Sequence, residues 1–112
     1  MMASDRSHMI HCEEYLKHVA KYVQAGRGAF MASQMCQDAV LWNLQMACLC
    51  AERISHEERQ RHPTVDWHEL RSLAKGLVNE EMRPELEGAW QLAEGQVPKL
   101  QHQIRLVLSA KM

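Results

Sequence analysis

Apolar residues between Met35 and Ile54 fall on two helical stripes rather than one. Met35, Ala39, Trp42, Met46 and Leu49 recur at alternating steps of four and three, and Val40, Leu44, Ala47, Ala51 and Ile54 do the same on the adjacent face. The core of this stretch, Asp38 to Ile54, holds no Gly or Pro and almost no charge in its middle. A helix with one stripe needs one neighbour, whereas a helix apolar over most of its girth needs cover on several sides, as in the middle of a bundle or at a dimer seam. The spacing predicts a central helix that begins near Ala29 to Ser33 and runs to about Ile54 or a turn beyond.

The flanking patterns predict helices as well. From about Asp5 to Ala25 a single stripe of Met9, Cys12, Leu16, Val19 and Val23 marks an amphipathic helix that the Gly26-Arg27-Gly28 punctuation ends. The segment SHEERQRHPTV mixes acids and bases and stops at Pro63, which predicts a solvated helix end or loop. Asp66 reads as an N-cap with Glu69 three residues on, opening a third helix whose apolar residues are Trp67, Leu70, Leu73 or Ala74, Leu77 and Val78. Its end is expected between Val78 and Met82. A last helix carries Leu86, Trp90, Ala93, Val97, Leu100, Ile104 and Val107, with Pro84 near its first turn. Pro98 sits inside that stripe and predicts a kink or break around Gly95 to Pro98.

Composition agrees with an all-α chain. Five Gly and three Pro in 112 residues are few for a protein of strands and tight turns, and the length suits one domain, residues 1–112. The expected architecture is an up-and-down bundle of four to five helices, dimeric through the central helix. A net charge of −1 supplies no overall attraction for nucleic acid, so any RNA contact has to be local. Cys12, Cys36, Cys48 and Cys50 show no CxxC spacing and read as reduced thiols. The polar start MMASDRSHM and the lack of a run of ~18 apolar residues argue for a soluble, cytoplasmic protein without a membrane span. His8 and Cys12 are spaced to reach one metal, but Cys12 lies on the stripe that faces the core and no adjacent segment offers further ligands. Neither a metal nor a cofactor is expected.

Three segments together resemble one family, the HepT-like branch of the HEPN proteins (higher eukaryotes and prokaryotes nucleotide-binding). DAVLWNLQMACLCAERI resembles its central helix, HPTVDWHEL resembles its entry into the third helix, and the stretch from Trp90 to Leu108, including VPKL, resembles its last helix. The resemblance implies a small dimeric helical bundle, with active members that are ribonuclease toxins paired with a small nucleotidyltransferase antitoxin. It also implies a motif on the third helix, RNxxxH followed by a Tyr. There the Arg clamps a phosphate and the His moves the proton of the attacking 2′-hydroxyl without a metal.

Counted from Trp67, those three positions fall on Ala74, Asn79 and Glu81. Arg71 and Lys75 lie within a turn of the missing Arg and are the shifted candidates for an anion contact. Asn79 can hydrogen-bond a phosphate but cannot shuttle a proton near neutral pH, and Glu80 and Glu81 repel a phosphate backbone. The expectation is therefore a catalytically degenerate member of a toxin–antitoxin type module, acting by homodimerisation and by binding a nucleotidyltransferase-type partner or RNA. The alternative is an active metal-independent RNA endonuclease that uses Arg71, Lys75 and Asn79.

Overall fold

The single-striped N-terminal segment forms α1, Ala3–Tyr22, and buries Met9, Cys12, Leu16 and Val19 on one face. This computed structural model describes residues 3–110; Met1, Met2, Lys111 and Met112 lie outside them. A short α2, Arg27–Ala32, follows Gly26, whose φ of 99° lies where only glycine is comfortable. The central helix is α3, Gln34–Arg53. Ser33 caps it by accepting a hydrogen bond from the Cys36 amide at 3.2 Å, and Gln37 reaches back to the Phe30 and Met31 carbonyls at the end of α2.

Helices α1 and α3 form the most extensive packing in the molecule. They run antiparallel, and three polar contacts fix their register. Asp5 accepts from the Ser55 amide and hydroxyl, both at 2.8 Å; the Cys12 thiol points at the Ala47 carbonyl; and His18 Nδ1 donates to Asn43 Oδ1 at 3.2 Å. The two stripes of α3 have different fates. Val40, Leu44, Ala47, Ala51 and Ile54 are buried in the core, while Met35, Trp42 and Leu49 stand exposed at 78%, 59% and 48%. One chain covers one stripe only.

The charged run after α3 differs from the expectation of a solvated segment. Ser55 caps a helix α4, His56–Gln60, by accepting from the Glu58 amide, and Glu58 is 1% exposed. Its carboxylate is held at 2.8 Å by both Arg61 and His62. Burial pushes this carboxyl up, yet the hydrogen bonds and charges of His62 and Arg61 outweigh that and hold it below the ordinary glutamate value.

Asp66 does open the next helix, accepting from the Glu69 amide at 3.0 Å. Glu69 leaves the Asp66 amide to Gln103, whose side chain accepts from it at 2.9 Å. The helix, α5, is only Trp67–Arg71, and the expected continuation to Val78 does not form. From Ser72 three amides donate to the carbonyl three residues earlier: Ser72 to Glu69, Lys75 to Ser72, Leu77 to Ala74. These tight turns still bury Leu70, Leu73 and Leu77, so the apolar spacing is that of a helix while the bonding is not. Gly76, at φ 75°, ends the run.

The C-terminal third is α6, Leu86–Gln91, a π-helical turn over Leu92–Gln96, and α7, Val97–Ser109. The interruption expected around Gly95 to Pro98 takes the form of this π-helical turn, and Pro98 falls in the first turn of α7, where its missing N–H is tolerated. Pro84 lies two residues before α6, in an isolated bridge with Val78. This rod buries Ala89, Ala93, Val97, Leu100, Ile104 and Val107 and packs mainly on α1, where Glu13 meets Gln101 and Arg105. The result is an all-α bundle of three long rods with short α2, α4 and α5. Among the described residues there is no strand, and no helix is long and apolar enough to cross a membrane.

Candidate functional site

The positions where a catalytic Arg, His and Tyr were sought do not share a helix face. Ala74 sits in the tight turns beyond α5 and packs partly against the core. Asn79 and Glu81 lie in a loop, residues 77–85, closed by the Val78–Pro84 bridge and by the Glu85 amide donating to the Leu77 carbonyl at 2.8 Å. Asn79 is the keystone of that loop. Its side-chain oxygen accepts from the Glu81 amide at 2.9 Å and the Arg83 amide at 3.0 Å, and its own amide donates to the Arg83 carbonyl at 2.8 Å. The side chain is thus held in local structure by its oxygen, with Nδ2 left as its donor. Glu80 and Glu81 are exposed beside it, and Met82 completes the turn at φ 61°.

Arg71 goes elsewhere. The last residue of α5, it lines a cleft of about 230 Å³ between α4 and α5, together with His56, Arg59, Gln60 and Trp67. The geometry follows from helical spacing: His56, Arg59 and Gln60 at i, i+3 and i+4 share one face of α4, and Trp67 and Arg71 at i, i+4 share one face of α5. Both short helices are pinned. The Asp5–Ser55 contact and the buried Glu58 fix α4, while α5 is fixed by its Asp66 cap and by the Cys48 thiol donating to the Arg71 carbonyl at 2.9 Å. Trp67 donates its indole N–H to the His62 carbonyl at 3.0 Å, which sets the plane of the ring.

The electrostatics of this cleft are one-sided. No carboxylate lines it, and among the described residues neither Arg59 nor Arg71 forms an ion pair. Arg59 Nε and Nη1 are covered and have no hydrogen-bond partner. Partial burial, with the charge of Arg71 alongside, lowers the Arg59 guanidinium from its ordinary value. Lys75 is exposed on the turn beyond α5 and does not line the cleft. Of the shifted candidates, therefore, Arg71 alone enters a concave site, and Lys75 and Asn79 do not join it there.

Residues 12–107 match the family model described as Ribonuclease HepT-like. The chain belongs to that family. No solved structure matches it. The HepT-like match runs from the middle of α1 through most of α7, so both the α4–α5 cleft and the Asn79 loop lie within it.

Sequence reasoning about a HepT-like protein missed His56, Arg59, Gln60 and Trp67 as neighbours of Arg71. A usable signal was present in the i, i+3, i+4 spacing of HEERQ and the i, i+4 spacing of WHELR, but it was masked by the mixed charge of the first segment. The His8–Cys12 pair has no chelating geometry: Cys12 is fully buried with its thiol on a carbonyl, and burial raises its pKa far above that of a free thiol. Among the described residues no group of three or more His, Cys, Asp or Glu side chains is placed to hold a metal ion.

Proposed function

We propose that this HepT-like chain acts by binding rather than by cutting RNA, as the self-associating member of a toxin–antitoxin type module in the cytoplasm. It pairs with a second copy of itself and engages a small nucleotidyltransferase-type partner or RNA. The observation that carries the reading is Asn79, which stands at the position of the family's proton-transferring His and is tied into its own loop by two accepted hydrogen bonds. No imidazole replaces it there, and Ala74 offers no charge for phosphate clamping. Proton transfer by a positioned side chain is worth ~10²–10⁴ in rate, so its loss removes most of what such a site supplies.

Self-association is supported by the second stripe of α3. Met35, Trp42 and Leu49 form a row of large exposed apolar side chains on one helix face, of the kind that marks an interaction surface. A second copy presents the same row and covers it with like chemistry. One observation favours a second reading, in which RNA cleavage has moved: Arg71 shares its cleft with His56, and an Arg with a His is the pair that the family's chemistry uses.

The test is expression of the chain alone in a bacterial host, with growth and RNA integrity recorded. Unimpaired growth and intact RNA agree with binding. Growth arrest with RNA loss, relieved by Arg71→Ala, establishes the relocated nuclease instead.

A further inference from the structure

The α4–α5 cleft brings together two guanidinium groups that form no ion pair among the described residues, a histidine and a fixed indole, with no carboxylate on its walls, and two nitrogens of Arg59 are covered without a hydrogen-bond partner. We infer that the α4–α5 cleft binds the phosphate monoester of a nucleotide, with Arg59 and Arg71 on the phosphoryl oxygens and the base laid against Trp67. The inference deepens the proposed function, since a chain that holds RNA or a nucleotide without cutting it needs a site for phosphate, and it places that site away from positions 74, 79 and 81.

Two features select this ligand class. The first is charge. Two arginines converge from two helices, and guanidinium groups present paired donors that suit phosphate oxygens, where a lone lysine presents a point charge. His56 and Gln60, from the same face of α4, add donors at the rim.

The second feature is the aromatic wall. Trp67 is half-buried and its ring is oriented by the bond from Nε1 to the His62 carbonyl, so a base stacking on it orders little that is not ordered already.

The phosphate monoester could be a free nucleotide or the 5′ end of an RNA, and titration calorimetry at low ionic strength separates them. The full chain is titrated with adenosine, inorganic phosphate, AMP, and a short RNA oligomer bearing either a 5′-phosphate or a 5′-hydroxyl. AMP is expected to bind at least about tenfold more tightly than adenosine and more tightly than phosphate, since it alone uses both the guanidinium groups and the indole. Arg71→Gln should weaken AMP by about tenfold or more, and Trp67→Leu should reduce AMP to the level of phosphate. Lys17→Gln, an exposed charge on α1, serves as the control and should change nothing. An oligomer that binds only with its 5′-phosphate, and more tightly than AMP, identifies an RNA end; equal binding of AMP and that oligomer identifies a nucleotide site. AMP bound no better than adenosine, or unaffected by Arg71→Gln in a variant with parental circular dichroism, overturns the inference. That result leaves the proposed function intact, which fails instead if the parent cuts RNA.

Discussion

Asn79→His puts an imidazole where the resemblance to the family places its His and asks whether the loop beneath allows it to act. The substitution removes the side-chain oxygen that accepts from the Glu81 and Arg83 amides at 2.9 and 3.0 Å. Each such bond contributes about 0.5–1.5 kcal/mol net, and both lie near the surface where water can replace them, so the expected loss is about 1–3 kcal/mol. For a domain of this size a kilocalorie corresponds to about 3–6 °C in Tm, which places the drop at roughly 3–18 °C. Asn79→Asp keeps an oxygen acceptor in the same place and should hold most of the parental Tm, which separates the lost hydrogen bonds from mere substitution. Thermal unfolding followed by circular dichroism reads both. The double variant Ala74→Arg with Asn79→His should melt lower still and leave transfer RNA intact, because position 74 lies on a tight turn and position 79 in a loop rather than on one helix. A double variant that cuts RNA and melts with the parent would refute the reasoning, since it requires residues 72–81 to be helical in solution.

Three further outcomes test other parts of the fold. Asp5 is held below its ordinary 3.8 first by the Ser55 amide, and Glu58 below its ordinary 4.5 because His62 and Arg61 outweigh its burial. The unfolded chain then binds more protons than the folded one in acid, so stability is level above about pH 5 and falls as pH drops through 4.5 and below; Glu58→Gln, at a cost of about 2–4 kcal/mol, should flatten part of that fall in urea titrations. Leu49→Glu puts a charge on the uncovered stripe of α3 and should convert a dimer into a folded monomer by light scattering with the parental helicity; a parent that is monomeric at micromolar concentration removes this interface. Asp66→Ala should destabilise by about 0.5–2 kcal/mol through loss of the α5 cap, and an unchanged Tm would deny Asp66 that role.

The helices that bury one stripe were legible in the sequence because periodicity and burial coincide there. Met9, Cys12, Leu16 and Val19 on α1 and the Val40 to Ile54 stripe on α3 face the core as their spacing requires. Ser33 begins α3 within the span that the pattern predicts, and Asp66 caps α5. The end of α5 was not legible. Leu70, Leu73 and Leu77 keep helical spacing, yet a chain of i→i+3 turns buries them equally well, and only Gly76 hints that the helix fails. Pro98 signals an interruption because a proline inside a stripe costs a hydrogen bond, and the π-helical turn over Leu92–Gln96 is the form that interruption takes. Glu58 was hidden by composition, since its burial depends on Arg61 and His62 folding back on it, which a run of mixed charge does not announce. The same holds for the cleft: Arg59 and Arg71 become neighbours only once α4 and α5 are both short and both pinned.

Loss of the family's cleavage chemistry is the central claim, and incubation of the purified chain with total and transfer RNA in a chelating buffer tests it most directly. Intact RNA at equimolar protein over hours, by the parent and by Arg71→Ala alike, is the predicted result. Cleavage by the parent that disappears with Arg71→Ala or Lys75→Ala would contradict it and make this chain a ribonuclease with a relocated site.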